Sequence, residues 1–185
     1  MINETAETRK GDWIQTFTGK AFYPFDPRPE EIDLRDIGHA LSNICRFGGH
    51  TAMFYSVAEH SVLLAGAVAK PFKAWALLHD AAEAYIGDIP RPIKRSIPQF
   101  AEAEGLILEA IARRFGLSPF IPKEVHEADN RILFDEAARV LGERPMPWRD
   151  EKLPLGVTIS FWNPPMAEKM WMKAVVKELY NYDLI

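Results

Sequence analysis

Three ionisable residues interrupt an otherwise apolar stretch, Trp75-Ala-Leu-Leu-His-Asp-Ala-Ala-Glu-Ala-Tyr-Ile. On a helix Glu83 follows His79 by four residues and Asp80 by three, so all of them approach one sector. A carboxylate buried without a partner is costly, and a metal ion is among the few partners able to offset several such groups at once. A closed His–Asp–Glu hydrogen-bond network would offset that cost as well. This stretch alone does not choose between the two.

Two residues elsewhere repeat the anomaly. His60 stands among Val57, Leu63 and Leu64, and Asp129 lies between Val125 and the pair Ile132 and Leu133. Each by itself is an ordinary helix residue. Together His60, His79, Asp80 and Asp129 make a two-nitrogen, two-oxygen set for one divalent ion, with room for water and substrate in octahedral coordination. Mn, Co, Fe, Ni, Zn and Mg remain open for that ion. Asp135 competes for the last position, six residues from Asp129 and on a different side of the helix.

The elements that must position these residues are mostly helical. The chain has 185 residues with 48% hydrophobic and 26% charged, which suits one globular domain, 1–185, and excludes disorder and low complexity. Residues 1–11 form a polar tail. Residues 12–25, rich in aromatics and threonine, predict a small hairpin turning at Thr18-Gly19. Apolar spacing then predicts a helix over 36–47, ended by Gly48-Gly49. Ser56-Val-Ala-Glu59 matches a capping box that opens a second helix running to about Lys70. A third spans 72–86 and stops at Gly87. Pro98 with Gly116 and Pro122 with Gly142 bracket two more, and the last runs from Pro165 to about Tyr182. The expected class is an all-α bundle of about six helices with a minor β decoration, its core in 36–142. Residues 143–185 supply a proline-rich connection, a β-like patch at Val157–Trp162 and the C-terminal helix.

Composition narrows the setting. The net charge is −4 and the pI about 5.8, so no basic field recruits nucleic acid or an anionic membrane. One cysteine, Cys45, excludes an internal disulfide and a Cys-rich zinc knuckle. No apolar run approaches the roughly 20 residues of a membrane helix, and the polar N-terminus lacks a secretory signal. A cytoplasmic protein is expected. Among the weaker candidates, Gly48-Gly49-His50 ends a helix more readily than it cradles a phosphate, and His126 suits an exposed helix position.

The pattern of His, then His-Asp, then a distant Asp resembles the HD-domain metal-dependent phosphohydrolases. The resemblance to their bacterial 5′-deoxynucleotidase branch is closer. It covers Ala58-Glu-His-Ser61, His79-Asp-Ala-Ala-Glu83, Gly87-Asp-Ile-Pro-Arg-Pro-Ile-Lys94 and Ala128-Asp129, within roughly residues 36–142. The resemblance implies an HD-domain bundle whose metal is held by His60, His79, Asp80 and Asp129. Glu83 and Asp88 would then act on the attacking water or the leaving group. Arg46-Phe47 stands where that branch has an Arg-Trp pair on the first helix, contacting phosphate and sugar. Phe47 keeps the apolar platform but lacks the indole N–H. A homodimer is implied by the resemblance alone.

The chemistry is consistent with that role. A phosphoester repels hydroxide, and a divalent ion both neutralises charge and lowers the pKa of water. Asp88 with a raised pKa could protonate the departing alkoxide. Arg46 offers a fork for phosphate oxygens, and Arg91 and Lys94 add charge from the proline-stiffened loop. The expected activity is removal of the 5′-phosphate from a deoxynucleoside monophosphate. Its rivals are a deoxynucleoside triphosphate hydrolase, an alarmone or cyclic nucleotide hydrolase, and a nucleotide sensor without turnover.

Overall fold

A computed structural model describes residues 8–148 and 150–181. Most of the predicted tail, Met1–Glu7, and the expected helix end at Tyr182 lie outside them.

The hairpin forms where the aromatics and threonines place it. Strands β1 (Ile14–Gln15) and β2 (Ala21–Phe22) pair antiparallel, Ile14 opposite Phe22. Gly19 turns the chain at φ 82°, a left-handed value glycine adopts without strain. Phe22 is fully buried and stacks on Tyr85 at 3.9 Å between ring centroids. The hairpin is thereby pinned to the helical core.

Helix α1 (Leu34–Asn43) is capped by Asp33, whose carboxylate accepts from the Arg35 N–H. It ends four residues earlier than the periodicity predicts. Ile44 turns extended, and Cys45 pairs in an antiparallel bridge with Ser56, with Arg46 N donating to Tyr55 O and Val57 N to Ile44 O. Arg46 and Phe47 consequently lie beyond the first helix, in a tight turn over Arg46–Gly49 with Phe47 at φ 56°. That bridge is a long-range pairing, invisible to local spacing.

Helix α2 (Val57–Ala67) begins at Ser56, whose hydroxyl accepts from the Glu59 N–H at 3.1 Å. Only this half of the capping box is made. The Glu59 carboxylate turns away from the cap and accepts from the backbone N–H groups of Ser160, Phe161 and Trp162.

The predicted third helix is broken at its chemistry-bearing residues. α3 (Lys73–Leu78) gives way to tight turns over 79–82, with three-residue backbone bonds such as Glu83 N to Asp80 O, before α4 (Glu83–Ile86). Such turns eclipse residues three apart and bring Asp80 and Glu83 to one side. After the short α5 (Arg91–Lys94) come α6 (Pro98–Phe115), ended by Gly116 at φ 65°, and α7 (Lys123–Val140). Helix α8 (Pro164–Tyr180) is capped by Asn163. Val157–Trp162 forms no strand. Carboxylates accept backbone N–H groups along this stretch: Glu59 those of 160–162, and Asp135 those of 155–157.

One contiguous core joins the hairpin to α8, centred on Ile37, Leu41, Leu64, Leu77, Leu78, Ile107, Ile132 and Trp171, all fully buried. Gly38 lets α1 and α8 approach closely, since a Cβ there would stand 3.0 Å from the Trp171 ring. No helix among the described residues is long and apolar enough to cross a membrane.

Candidate metal centre

Helices α2 and α7 and the tight turns between α3 and α4 deliver four side chains to one point. The Nε2 atoms of His60 and His79 face each other at 3.2 Å. Asp80 Oδ2 lies 3.1 Å from His79 Nε2 and 3.6 Å from His60 Nε2. Asp129 Oδ1 lies 3.4 Å from His60 Nε2 and 3.9 Å from His79 Nε2. The donor atoms of His60, His79 and Asp129 all fall within 4.8 Å of one another, a spacing that could hold a metal ion. Both histidines are buried, and the two carboxylates are partly exposed.

The far nitrogen of each imidazole is committed. His60 Nδ1 donates to Glu136 Oε1 at 2.6 Å, and His79 Nδ1 donates to the Ala76 carbonyl at 2.8 Å. These bonds orient both rings and turn both Nε2 atoms inward, the outer-sphere arrangement typical of metal-binding histidines. Two inward nitrogens beside two carboxylates demand positive charge between them. Burial and Arg46 act to lower the His60 pKa, yet Glu136 and Asp129 outweigh them and lift it to about 9. The donor set therefore fits a divalent cation, with a proton filling in when none is bound.

Glu136 carries no ligand role in the sequence pattern, yet it is fully buried at the hub of this network. It accepts from His60, from Tyr55 Oη at 3.0 Å and from Arg46 Nη2 at 3.0 Å. Its spacing from Asp129 was the available signal: seven residues, two helical turns, places both on one face. Arg46 reaches Asp80 as well, with Nη1 at 3.5 Å from Oδ2, so the cation bridges a candidate ligand and its supporting carboxylate. Burial opposes charge on Asp80 and Asp129, but His79 for Asp80 and His60 for Asp129 keep both below the usual carboxylate range.

Glu83 and Asp88 behave oppositely. Glu83 is buried and its Oε2 has no hydrogen-bond partner. Burial, then the neighbouring Asp80 and Asp88, raise its pKa well above the ordinary value. Asp88 is raised too, by burial and by Asp80 against the pull of Arg46. The site thus holds one pair of carboxylates ionised and another pair inclined to keep protons.

The remaining expected site residues are committed to protein partners. The Arg46 guanidinium sits 5.4 Å from the centroid of the Phe47 ring, and Phe47 packs against the Tyr55, Val140 and Ile159 cluster. Lys94 pairs with Glu104 on α6. Arg91 donates to Asp129 Oδ2 at 2.6 Å and to Asn130 Oδ1 at 2.8 Å. Asp135 is not at the centre but on the 155–157 backbone. His126 is exposed.

The chain belongs to the family of the Escherichia coli (strain K12) protein YfdR, an uncharacterized protein. Identity to it is 44% over 124 residues, spanning 67% of this chain and 70% of YfdR. An uncharacterized Rhodobacter capsulatus protein is similar as well, 33% identical over 129 residues, 64% of this chain and 66% of its own length. No protein-family model matches the chain.

Proposed function

We propose that this protein is a divalent-metal-dependent phosphohydrolase of the HD-domain type, acting on the 5′-phosphate of deoxynucleoside monophosphates. The observation that carries the proposal is the 3.2 Å approach of the two Nε2 atoms, each ring pinned from behind and flanked by Asp80 and Asp129. A metal held by His60, His79, Asp80 and Asp129 would supply charge neutralisation for the phosphoryl group and a lowered pKa for water.

The surrounding residues supply the rest. Asp88, on the chain just past α4, is pushed toward its protonated form by burial and Asp80, which suits it to give a proton to the departing ribose 5′-oxygen. Glu83, buried with one oxygen free, fixes the attacking water by hydrogen bonding. Arg46 places positive charge at the Asp80 edge, where phosphate oxygens arrive. The charge inventory favours a monophosphate over a triphosphate. Arg91 is matched by Asp129 and Lys94 by Glu104, so neither cation is free to neutralise two additional phosphates.

The test is a phosphate-release screen on chelated protein reloaded with Mn, Co, Ni, Zn or Mg, over deoxynucleoside and nucleoside mono- and triphosphates. Inorganic phosphate should appear fastest from the deoxynucleoside monophosphates, and only after metal is restored. Full turnover after exhaustive chelation would refute the metal dependence. Pyrophosphate or triphosphate as the main product, with monophosphates inert, would refute the substrate class.

A further inference from the structure

Arg91 was expected to serve phosphate, but its contacts point inward. It opens α5, immediately after Pro90, and its guanidinium crosses to α7. Nη2 sits 2.6 Å from Asp129 Oδ2 while Nη1 sits 2.8 Å from Asn130 Oδ1. Asn130 is itself oriented, since its Nδ2 donates to the His126 carbonyl at 2.8 Å. The other oxygen of Asp129, Oδ1, is the one that faces His60 and His79. The two oxygens of this carboxylate are thus divided between an outer clamp and the inner cluster.

We propose that Arg91 is a positioning residue for Asp129, and that this clamp couples occupancy of the metal centre to docking of the 87–97 segment that carries Asp88. The inference rests on the metal-centre reading above. An Arg–carboxylate pair with Arg91 half exposed adds little stability by itself. Its effect lies in orientation: partners that hold a ligand's second atom typically change metal affinity 10- to 100-fold. Both Nη groups reach α7, so the plane of the fork is set by Asp129 and Asn130. Linkage makes the coupling reciprocal, so metal binding must tighten the segment as much as the docked segment tightens metal binding.

Calorimetric Co²⁺ titration of the full chain, with the visible Co²⁺ spectrum and amide hydrogen exchange over 87–97, tests this. Arg91→Ala should weaken Co²⁺ binding about 10- to 100-fold, shift the visible bands at saturation, and speed exchange in 87–97. Its metal-free melting curve should stay near wild type. Arg91→Lys should recover less than half of the lost affinity on a logarithmic scale, because a point charge cannot span Asp129 and Asn130 as the fork does. Asn130→Ala should lose less than Arg91→Ala. In the wild type, Co²⁺ should slow exchange in 87–97. Unchanged or tighter Co²⁺ binding in Arg91→Ala overturns the proposal, and a loss confined to inorganic phosphate affinity returns Arg91 to the substrate. Wild-type protein that binds no Co²⁺ at all refutes the metal centre itself, an outcome distinct from any difference between the variants.

Discussion

Two pairs of acidic residues on α2 and α7 differ in what they meet. Glu59 precedes His60, and Asp135 precedes Glu136, yet each points to the 153–163 segment instead of the candidate metal centre. Glu59 is fully buried and accepts three backbone N–H groups, and Asp135 likewise takes three. Backbone N–H groups, not imidazoles, occupy these carboxylates. Asp129 and Glu136 instead meet imidazole and guanidinium groups, and Asp129 also faces a second carboxylate, Asp80. Burial of an acid is therefore no mark of chemistry. What distinguishes the site is acids and histidines aimed at each other with charge left to be supplied.

The largest effect should come from the metal side of that divide. Asp80→Ala or Asp129→Ala should take metal content of the purified protein from about one ion per chain to below detection, whereas Asp135→Ala should retain it. Elemental analysis decides the matter, and the reverse result for Asp129 and Asp135 would exchange their assignments. Next in size, Glu83→Gln and Asp88→Asn should lower kcat about 10²- to 10⁴-fold at unchanged metal content. A change in KM alone would mark uniform substrate binding and remove their proposed roles.

On the structural side, Glu59→Ala leaves three N–H groups without their acceptor and should cost about 3–5 kcal/mol in urea unfolding. Asp135→Ala should cost less, about 1–2 kcal/mol, because Asp135 is only half-buried where Glu59 is fully buried, and water can replace it. An Asp135→Ala loss as large as that of Glu59→Ala would show that water does not reach that backbone.

A further effect is a pH dependence of the chelated protein. The folded pKa of His60 stands above its unfolded value of 6.5, at about 9. Its contribution is therefore complete below 6.5 and disappears as pH rises through 9, so metal-free stability should fall across that window. Metal competes with the same proton, so its affinity should rise over the same range. Unfolding curves at pH 6 and 9.5 with and without Co²⁺ measure both, and a flat metal-free profile would mean that His60 keeps no extra proton.

The ionisable residues that converge were largely visible in the sequence, because an ionisable group in an apolar helical stripe stands out against its neighbours. His60, His79, Asp80 and Asp129 do converge, and Glu83 and Asp88 lie beside them with raised pKa values. The hairpin, its turn at Gly19 and the caps at Ser56 and Gly116 were also legible, since they depend on residues within a few positions of each other. What surrounds the site was not. Whether Arg46 ends a helix or starts a turn depends on the Cys45–Ser56 bridge, and the break at residues 79–82 interrupts a pattern that reads as one continuous helix. Glu136 as hub, Glu59 as anchor and Arg91 as clamp each depend on a partner from 38 to 103 residues away. Local spacing determines which side chains share a face. Which of several acids on that face meets an imidazole, and which meets a backbone N–H, is decided only when distant segments pack and compete for the same acceptors.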